Sequence, residues 1–226
     1  MRPTWLFDLE SNGFAVIPQV LSASQVEKLR LEVEVASGGE HALRGLLDFE
    51  WVRELAQSET IRSIMEPVLG KECFAVRGIF FDKIPRANWL VPPHQDLSIA
   101  VMEKGEASGF GPWSRKEGVV HVQPPRTVLE NMATIRLHLD DCDETNGALR
   151  VVAGSHLKGK LSNDDINQAT RSGEKFVPVP EGGGMLFRPL LIHASSPSAA
   201  PSHRRVVHLE FAASELPGGL NWRWKV

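Results

Sequence analysis

The chain has 226 residues, a net charge of -3 and 42% hydrophobic residues, enough apolar material for one sizeable core. The charge is small and no basic run occurs, which argues against nucleic acid or an anionic membrane as main partner and for a small-molecule substrate. Met1-Arg2-Pro3-Thr4-Trp5 leads into Asp8 and Glu10 rather than an apolar leader, no apolar stretch reaches the length of a bilayer span, and Cys73 and Cys142 lack CxxC spacing, so a cytoplasmic protein with free thiols is expected.

In chain order, Phe14-Ala15-Val16-Ile17 predicts a short strand. A helix opens within Leu21 to Glu27, where Ser24 and Glu27 have the spacing of a capping box, and Val26, Leu29, Val33 and Ala36 form its apolar stripe. A second helical region runs from about Phe49 to Leu69 with a break near Ser58. From Phe74 onward, β-branched and aromatic runs punctuated by Gly, Pro and Asn-Gly predict strands. Helices over about 20–70 followed by strands over about 72–213 predict one mainly β domain spanning 1–226. Its expected form is a double-stranded β-helix (jelly roll, cupin-like) with the N-terminal helices packed on one sheet.

Chemistry-bearing residues fall in the strand region. In Pro93-His94-Gln95-Asp96 the side chains of His94 and Asp96 project to the same side of a strand, so both can grip one metal ion. A distant His193 would complete a 2-His-1-carboxylate triad, which leaves coordination positions open as a non-haem Fe(II) oxygenase requires. Arg204 follows eleven residues later, close enough for a return strand to bring its guanidinium to the metal's side and hold a carboxylate through two parallel hydrogen bonds. The segment from Met102 to Gln123, glycine-rich and carrying Phe110 and Trp113, reads as a lid over the site, with Trp113 against substrate. The run Ala133 to Asp140 alternates, with Ile135, Leu137 and Leu139 on one face and Thr134, Arg136 and His138 on the other. If the apolar face packs on the helices, Arg136 and His138 look into the interior, where His138 could meet substrate. Otherwise Arg136 pairs with Asp140 or Glu130 and is structural. The chain has no Tyr, so polar donors in any pocket come from other residue types.

Three stretches together are similar to the phytanoyl-CoA dioxygenase family of Fe(II)- and 2-oxoglutarate-dependent oxygenases. They are Pro93-His94-Gln95-Asp96-Leu97, Asn146-Gly147-Ala148-Leu149 through Gly154-Ser155-His156, and Arg188-Pro189-Leu190-Leu191-Ile192-His193-Ala194-Ser195 through Arg204, within about residues 75–212. The resemblance implies Fe(II) on His94, Asp96 and His193, 2-oxoglutarate as cosubstrate with its far carboxylate on Arg204 and Ser195, and O2 as oxidant. It further implies that Arg136 and Ile79 line the cosubstrate site and that Arg44 points at cosubstrate or substrate. His156 is expected in a turn and not on the metal, since a fourth protein ligand would close a position O2 must use. A carboxylate at Asp96 argues for hydroxylation, desaturation or another oxygenase outcome over halogenation, because related halogenases leave that position to chloride. Two alternatives stand beside this reading: a metal-dependent jelly-roll enzyme that does not use 2-oxoglutarate, and a non-catalytic ligand-binding sandwich.

Overall fold

A computed structural model describes residues 2–199 and 203–226. Helix α1 (Thr4–Asn12) stops at Gly13, whose φ of 85° turns the chain into strand β1 (Phe14–Ile17). Helix α2 (Ala23–Ser37) is capped by Ser22 and Gln25, not by the expected Ser24 and Glu27. The same three-residue spacing occurs in both pairs. The earlier one wins because it leaves Leu21 and Val26 at the positions of a hydrophobic staple, and both are buried in one cluster. After β2 (Ala42–Arg44) come α3 (Glu50–Gln57) and α4 (Glu59–Leu69), separated at Ser58, whose hydroxyl accepts from the Ile61 N–H.

The strand region holds β3 (Phe74–Asp82), β4 (Val91–His94), β5 (Ile99–Val101), β6 (Trp113–Lys116) and β7 (Val119–Val122). After the short helix α5 (Arg126–Glu130) follow β8 (Met132–His138) and β9 (Leu149–Val152). Helix α6 (Asn163–Arg171), which the strand pattern does not predict, precedes β10 (Lys175–Val177), β11 (Gly184–Phe187), β12 (Ile192–Ser195) and β13 (Arg205–Ala212). One sheet has the order β1-β11-β8-β13-β3-β2 and a second β10-β9-β12-β4; all their pairings are antiparallel, and neither closes into a barrel. This is the expected mainly β, jelly-roll class.

Strand alternation decides what each face does. Ile135, Leu137 and Leu139 of the β8 region join Val207, Leu209 and Phe211 of β13 in a cluster with Val26, Leu29, Val52, Ile61 and Met65 from α2 to α4. The helices thus cover the outer face of the large sheet, each fully buried Leu or Ile contributing roughly 1.5–3 kcal/mol. The other face of β8 and β13 turns Arg136, His208 and Glu210 toward the four-stranded sheet. Between the sheets, Leu149, Val151, Met185, Phe187 and Leu191 form a separate apolar layer.

The segment 102–123 departs from expectation. It is not one loop, since its second half is the hairpin β6–β7, which pairs with β5 as a small third sheet. Among the described residues no helix is long and apolar enough to cross a membrane.

Candidate metal centre

Strands β4 and β12 lie side by side with His94 and His193 directly paired, and a bulge follows between His193 and Ser195. Asp96 stands two residues past His94. One ligand atom from each of the three residues lies within 4.8 Å of the others. His94 Nε2 is 3.7 Å from Asp96 Oδ1, and His193 Nε2 is 3.6 Å from Asp96 Oδ2.

The outer ring nitrogens fix the tautomers. His94 Nδ1 donates to the Pro92 carbonyl at 2.9 Å and His193 Nδ1 to the Leu191 carbonyl at 3.0 Å. A carbonyl only accepts, so both protons sit on Nδ1 and both Nε2 lone pairs are free to face a common point. Burial would raise the Asp96 carboxyl, but the His193 and His94 imidazoles outweigh it and hold it well below the usual carboxylate range. Burial pushes His193 down to about 4, against the pull of Asp96, so its ring is neutral. Burial would lower His94, but the Asp96 carboxylate outweighs it and raises its value, so a metal ion would take the place of a proton between them. Two imidazoles, one ionised carboxylate and open positions fit Fe(II).

Between the two ligands, Gln95 turns the other way. Its Nε2 donates to the Gly159 and Leu190 carbonyls at 2.8 and 2.7 Å, and its Oε1 accepts from the Leu161 N–H at 2.9 Å. Ser155 secures β12 from beside it, its hydroxyl accepting from the Ile192 N–H at 2.8 Å.

The triad opens into a cavity of about 150 Å³, walled by Ile79, Phe81, Val91 and Leu149. A larger cleft of about 540 Å³ runs along α2 and the outer side of β3, but it holds none of the triad, and among the described residues no other group of three His, Cys, Asp or Glu side chains could hold a metal ion. Arg136, Ser195 and Arg204 also line the metal cavity, with Arg136 near Arg204. Arg204 is 3% exposed and donates through Nη1 to the Gly147 carbonyl at 3.0 Å, leaving Nε without a partner. Arg136 makes no hydrogen bond or ion pair among the described residues; its guanidinium rests over the Phe81 ring. The structural alternative for Arg136 is not what forms, because Asp140 is taken by Arg205 at 2.7 Å and by Arg30 at 3.1 Å, and Glu130 by Arg126 at 2.6 Å. Burial, with Arg204 nearby, pushes Arg136 down to about 9. Ser195 Oγ donates to the Gly147 carbonyl at 2.9 Å.

A second polar set lines the same cavity, with His208 directly opposite Arg136 in the register of β13 and β8. Arg77 of β3 and Glu210 of β13 are register partners and form a buried ion pair at 3.0 Å. His208 Nε2 lies 3.4 Å from Glu210 but without hydrogen-bond alignment, and neither of its ring nitrogens has a hydrogen-bond partner. Arg44, on the edge strand β2, lines the cavity and pairs with Glu117 in the β6–β7 turn, which ties the hairpin across the mouth. Sequence reasoning missed Arg77, His208 and Glu210, although polar residues at alternate positions in apolar strands are a signal it could have used. It also missed Lys83, just after β3, for which no pattern exists.

Two expected substrate contacts lie elsewhere. His138 is 2% exposed and does not line the cavity. Its position along β8 falls between the levels of Arg136 and Arg204, so it is packing within the sheet stack and not distance along the strand that keeps its ring out of the cavity. Trp113 pairs with Val122 in the small sheet and packs into a separate apolar cluster, again away from the cavity. His156 stays off the metal; its Nε2 bonds the Glu10 carbonyl at 3.2 Å.

The family model described as phytanoyl-CoA dioxygenase (PhyH) matches residues 9–206. The chain belongs to the phytanoyl-CoA dioxygenase family. It is thus a member of the Fe(II)- and 2-oxoglutarate-dependent oxygenases. No curated protein sequence matches it. Among solved structures, the non-heme alpha-ketoglutarate-dependent carbocyclase SnoK from nogalamycin biosynthesis superposes with a TM-score of 0.73 at 17% identity, over 95% of this chain and 85% of that one. EvdO2 from Micromonospora carbonacea var. aurantiaca, complexed with 2-oxoglutarate, gives 0.68 at 20% identity over 95% and 91%. The epimerase SnoN with Fe3+, alpha-ketoglutarate and nogalamycin RO gives 0.70 at 16% over 95% and 90%. At such identities the likeness is one of fold, and this dioxygenase-family chain shares it over nearly its whole length.

Proposed function

We propose that this chain hydroxylates a small polar molecule, holding Fe(II) on His94, Asp96 and His193 and 2-oxoglutarate in the cavity beside them. The observation that carries the reading is a pairing of features: a triad with both Nε2 lone pairs free, and, in the same cavity, Arg136 and Arg204 buried with no carboxylate partner among the described residues. Buried cations without a counter-charge are costly, so the site is built for an anion that is not part of the chain. Iron together with 2-oxoglutarate and O2 supplies the oxidising power, yielding succinate and CO2 beside the oxidised substrate.

The chain's own residues bind, orient and exclude water. Arg204 and Ser195 take the far carboxylate, with Arg136 adding charge, and each charge-assisted bond is worth about 1.5–3 kcal/mol. Ile79, Phe81 and Leu149 keep the chamber dry. A volume of about 150 Å³ suits one small diacid and leaves substrate to enter from the mouth. There Arg77, Glu210 and Arg44 would meet it, which favours a polar molecule over a hydrocarbon chain.

Hydroxylation is favoured by what lines the site. The Asp96 carboxylate occupies the position a halide would need. Inverting a carbon centre calls for a hydrogen-atom donor such as a phenol or thiol on the opposite side of the substrate. The chain has no Tyr, and neither buried cysteine lines the cavity. The two alternatives, an enzyme without 2-oxoglutarate and a non-catalytic sandwich, leave the paired arginines unexplained. The test is succinate formation from 2-oxoglutarate by the Fe(II)-loaded protein under O2, with polar candidate substrates screened for a 16-Da gain. No succinate with any candidate, together with no binding of 2-oxoglutarate, would remove the reading.

A further inference from the structure

Lys83 is fully buried, with 0% of its surface exposed, and is among the largest of the fully buried side chains. A lysine is almost never placed so without a counter-charge. Among the described residues no carboxylate lies within ion-pair distance of it. Its Nζ instead donates to Ser195 Oγ at 2.7 Å and to the Ser196 carbonyl at 2.7 Å, and lies 5.7 Å from the centre of the Trp89 ring. Its backbone exchanges hydrogen bonds with Arg204, whose N–H donates to the Lys83 carbonyl at 3.1 Å. The lysine is thus anchored to both residues assigned to the cosubstrate's far carboxylate. The turn opposite is cut to fit: a Cβ at Gly147, where φ is 83°, would stand 3.6 Å from Lys83 Nζ and only 2.9 Å from the Ser196 carbonyl.

The hydrogen-bond directions give this arrangement a purpose. Ser195 has one hydroxyl proton, and in this structure it goes to the Gly147 carbonyl, which also receives Arg204 Nη1. An ammonium can only donate, so Lys83 occupies a lone pair of Ser195 Oγ and leaves that proton as the group free to turn. We propose that Lys83 is a positioning residue for 2-oxoglutarate, holding Ser195 so that its hydroxyl donates to the far carboxylate when the cosubstrate enters. This rests on the reading of Ser195 and Arg204 given above and extends it to a residue behind them. Burial, with Arg204 and Arg136 nearby, also pushes the Lys83 ammonium down to about 7, so an arriving carboxylate would favour its charged, donating form.

A double-mutant cycle tests the assignment. Full-length protein loaded with Mn(II) is titrated with 2-oxoglutarate by calorimetry for wild type, Lys83→Met, Ser195→Ala and the double variant, and steady-state constants are measured with Fe(II). Lys83→Met should weaken 2-oxoglutarate by about tenfold or more in the wild-type background and by less than about threefold once Ser195 is Ala, because the lysine acts through the serine. The 2-oxoglutarate KM should rise while kcat at saturation holds. An equal loss in both backgrounds would mark a general structural role and overturn the proposal, as would unchanged binding in Lys83→Met. Should that variant fail to fold, Lys83→Gln, which keeps a donor, should hold 2-oxoglutarate affinity to within about threefold while Ser195 is present, and a tenfold loss that persists once Ser195 is Ala would overturn the proposal. If wild type itself binds no 2-oxoglutarate, both this inference and the function above fall; if wild type binds and only the coupling is missing, the function stands and this inference falls.

Discussion

Arg204 and Arg205 are neighbours in the chain and serve opposite faces of the large sheet. Arg204 is buried in the cavity wall and donates to the Gly147 carbonyl, whereas Arg205 clasps Asp140 with Nε and Nη2 at 2.9 and 2.7 Å on the side covered by α2. A side-chain period of two requires the split. Arg204→Ala should therefore raise the 2-oxoglutarate requirement by about 10- to 150-fold, the equivalent of 1.5–3 kcal/mol, with little change in unfolding temperature. Arg205→Ala should show the reverse. Steady-state kinetics and thermal unfolding on both variants decide it, and an inverted pattern would show the register to be misassigned.

His94→Ala should abolish stoichiometric iron binding and turnover together. With one imidazole lost, the remaining His193 and Asp96 present two ligands, too few for a stable site at cellular metal levels. Metal analysis of the purified variant is the check; a full complement of iron with full activity would sink the ligand assignment.

The Arg77–Glu210 pair and the Arg136–Arg204 pair of cations should separate kinetically. Arg77→Ala breaks the pair with Glu210, proposed to meet substrate, so substrate oxidation should fall at least tenfold while uncoupled 2-oxoglutarate decarboxylation persists. Arg136→Ala, which removes the cation beside Arg204, should depress both and weaken 2-oxoglutarate binding. Trp113→Ala, away from the cavity, should change neither. Measuring succinate and oxidised product in parallel distinguishes the three, and uncoupling in Trp113→Ala would restore the lid role the sequence suggested.

Asp140 gives the fold a pH dependence. Burial would raise its carboxyl, but hydrogen bonds from Arg205 and the charge of Arg30 hold it below the usual carboxylate value. A depressed folded-state value means stability that is fully present above the ordinary carboxylate range and lost as pH falls through the lowered one. Asp140→Asn should cost about 1–3 kcal/mol at neutral pH, a drop of roughly 2–10 °C in unfolding temperature for a chain of this size, and the gap should close with acidification. A gap that stayed constant from neutral to acid pH would count against the linkage.

Much of this was legible in the sequence for definable reasons. His94, Asp96 and His193 could be read because strand periodicity and a fixed ligand set leave a local signature, and the N-terminal helices because their stripes repeat. The capping of α2 was misread by two residues, since the pattern occurs twice and only tertiary packing of Leu21 against the core selects one. Trp113 was misplaced because glycine-rich composition hides a hairpin. His138 was misplaced because alternation gives the face of a strand but not which side chains on that face reach the cavity. Lys83 was invisible, because nothing local distinguishes a buried lysine from a solvated one until the strand carrying it is seated against Ser195.

Gln95 stands between two of the three candidate metal ligands and points away from them, riveted to Gly159, Leu161 and Leu190. The nest for the ion is therefore finished by the surrounding chain before any ion arrives. Such a rigid cup cannot choose among first-row dications by reshaping itself. The ordinary order of affinities, in which copper and zinc outrank iron, then applies unaltered. Occupancy by iron becomes a question of supply, and trace zinc in a preparation is expected to behave as a competitor that chelation followed by excess Fe(II) reverses.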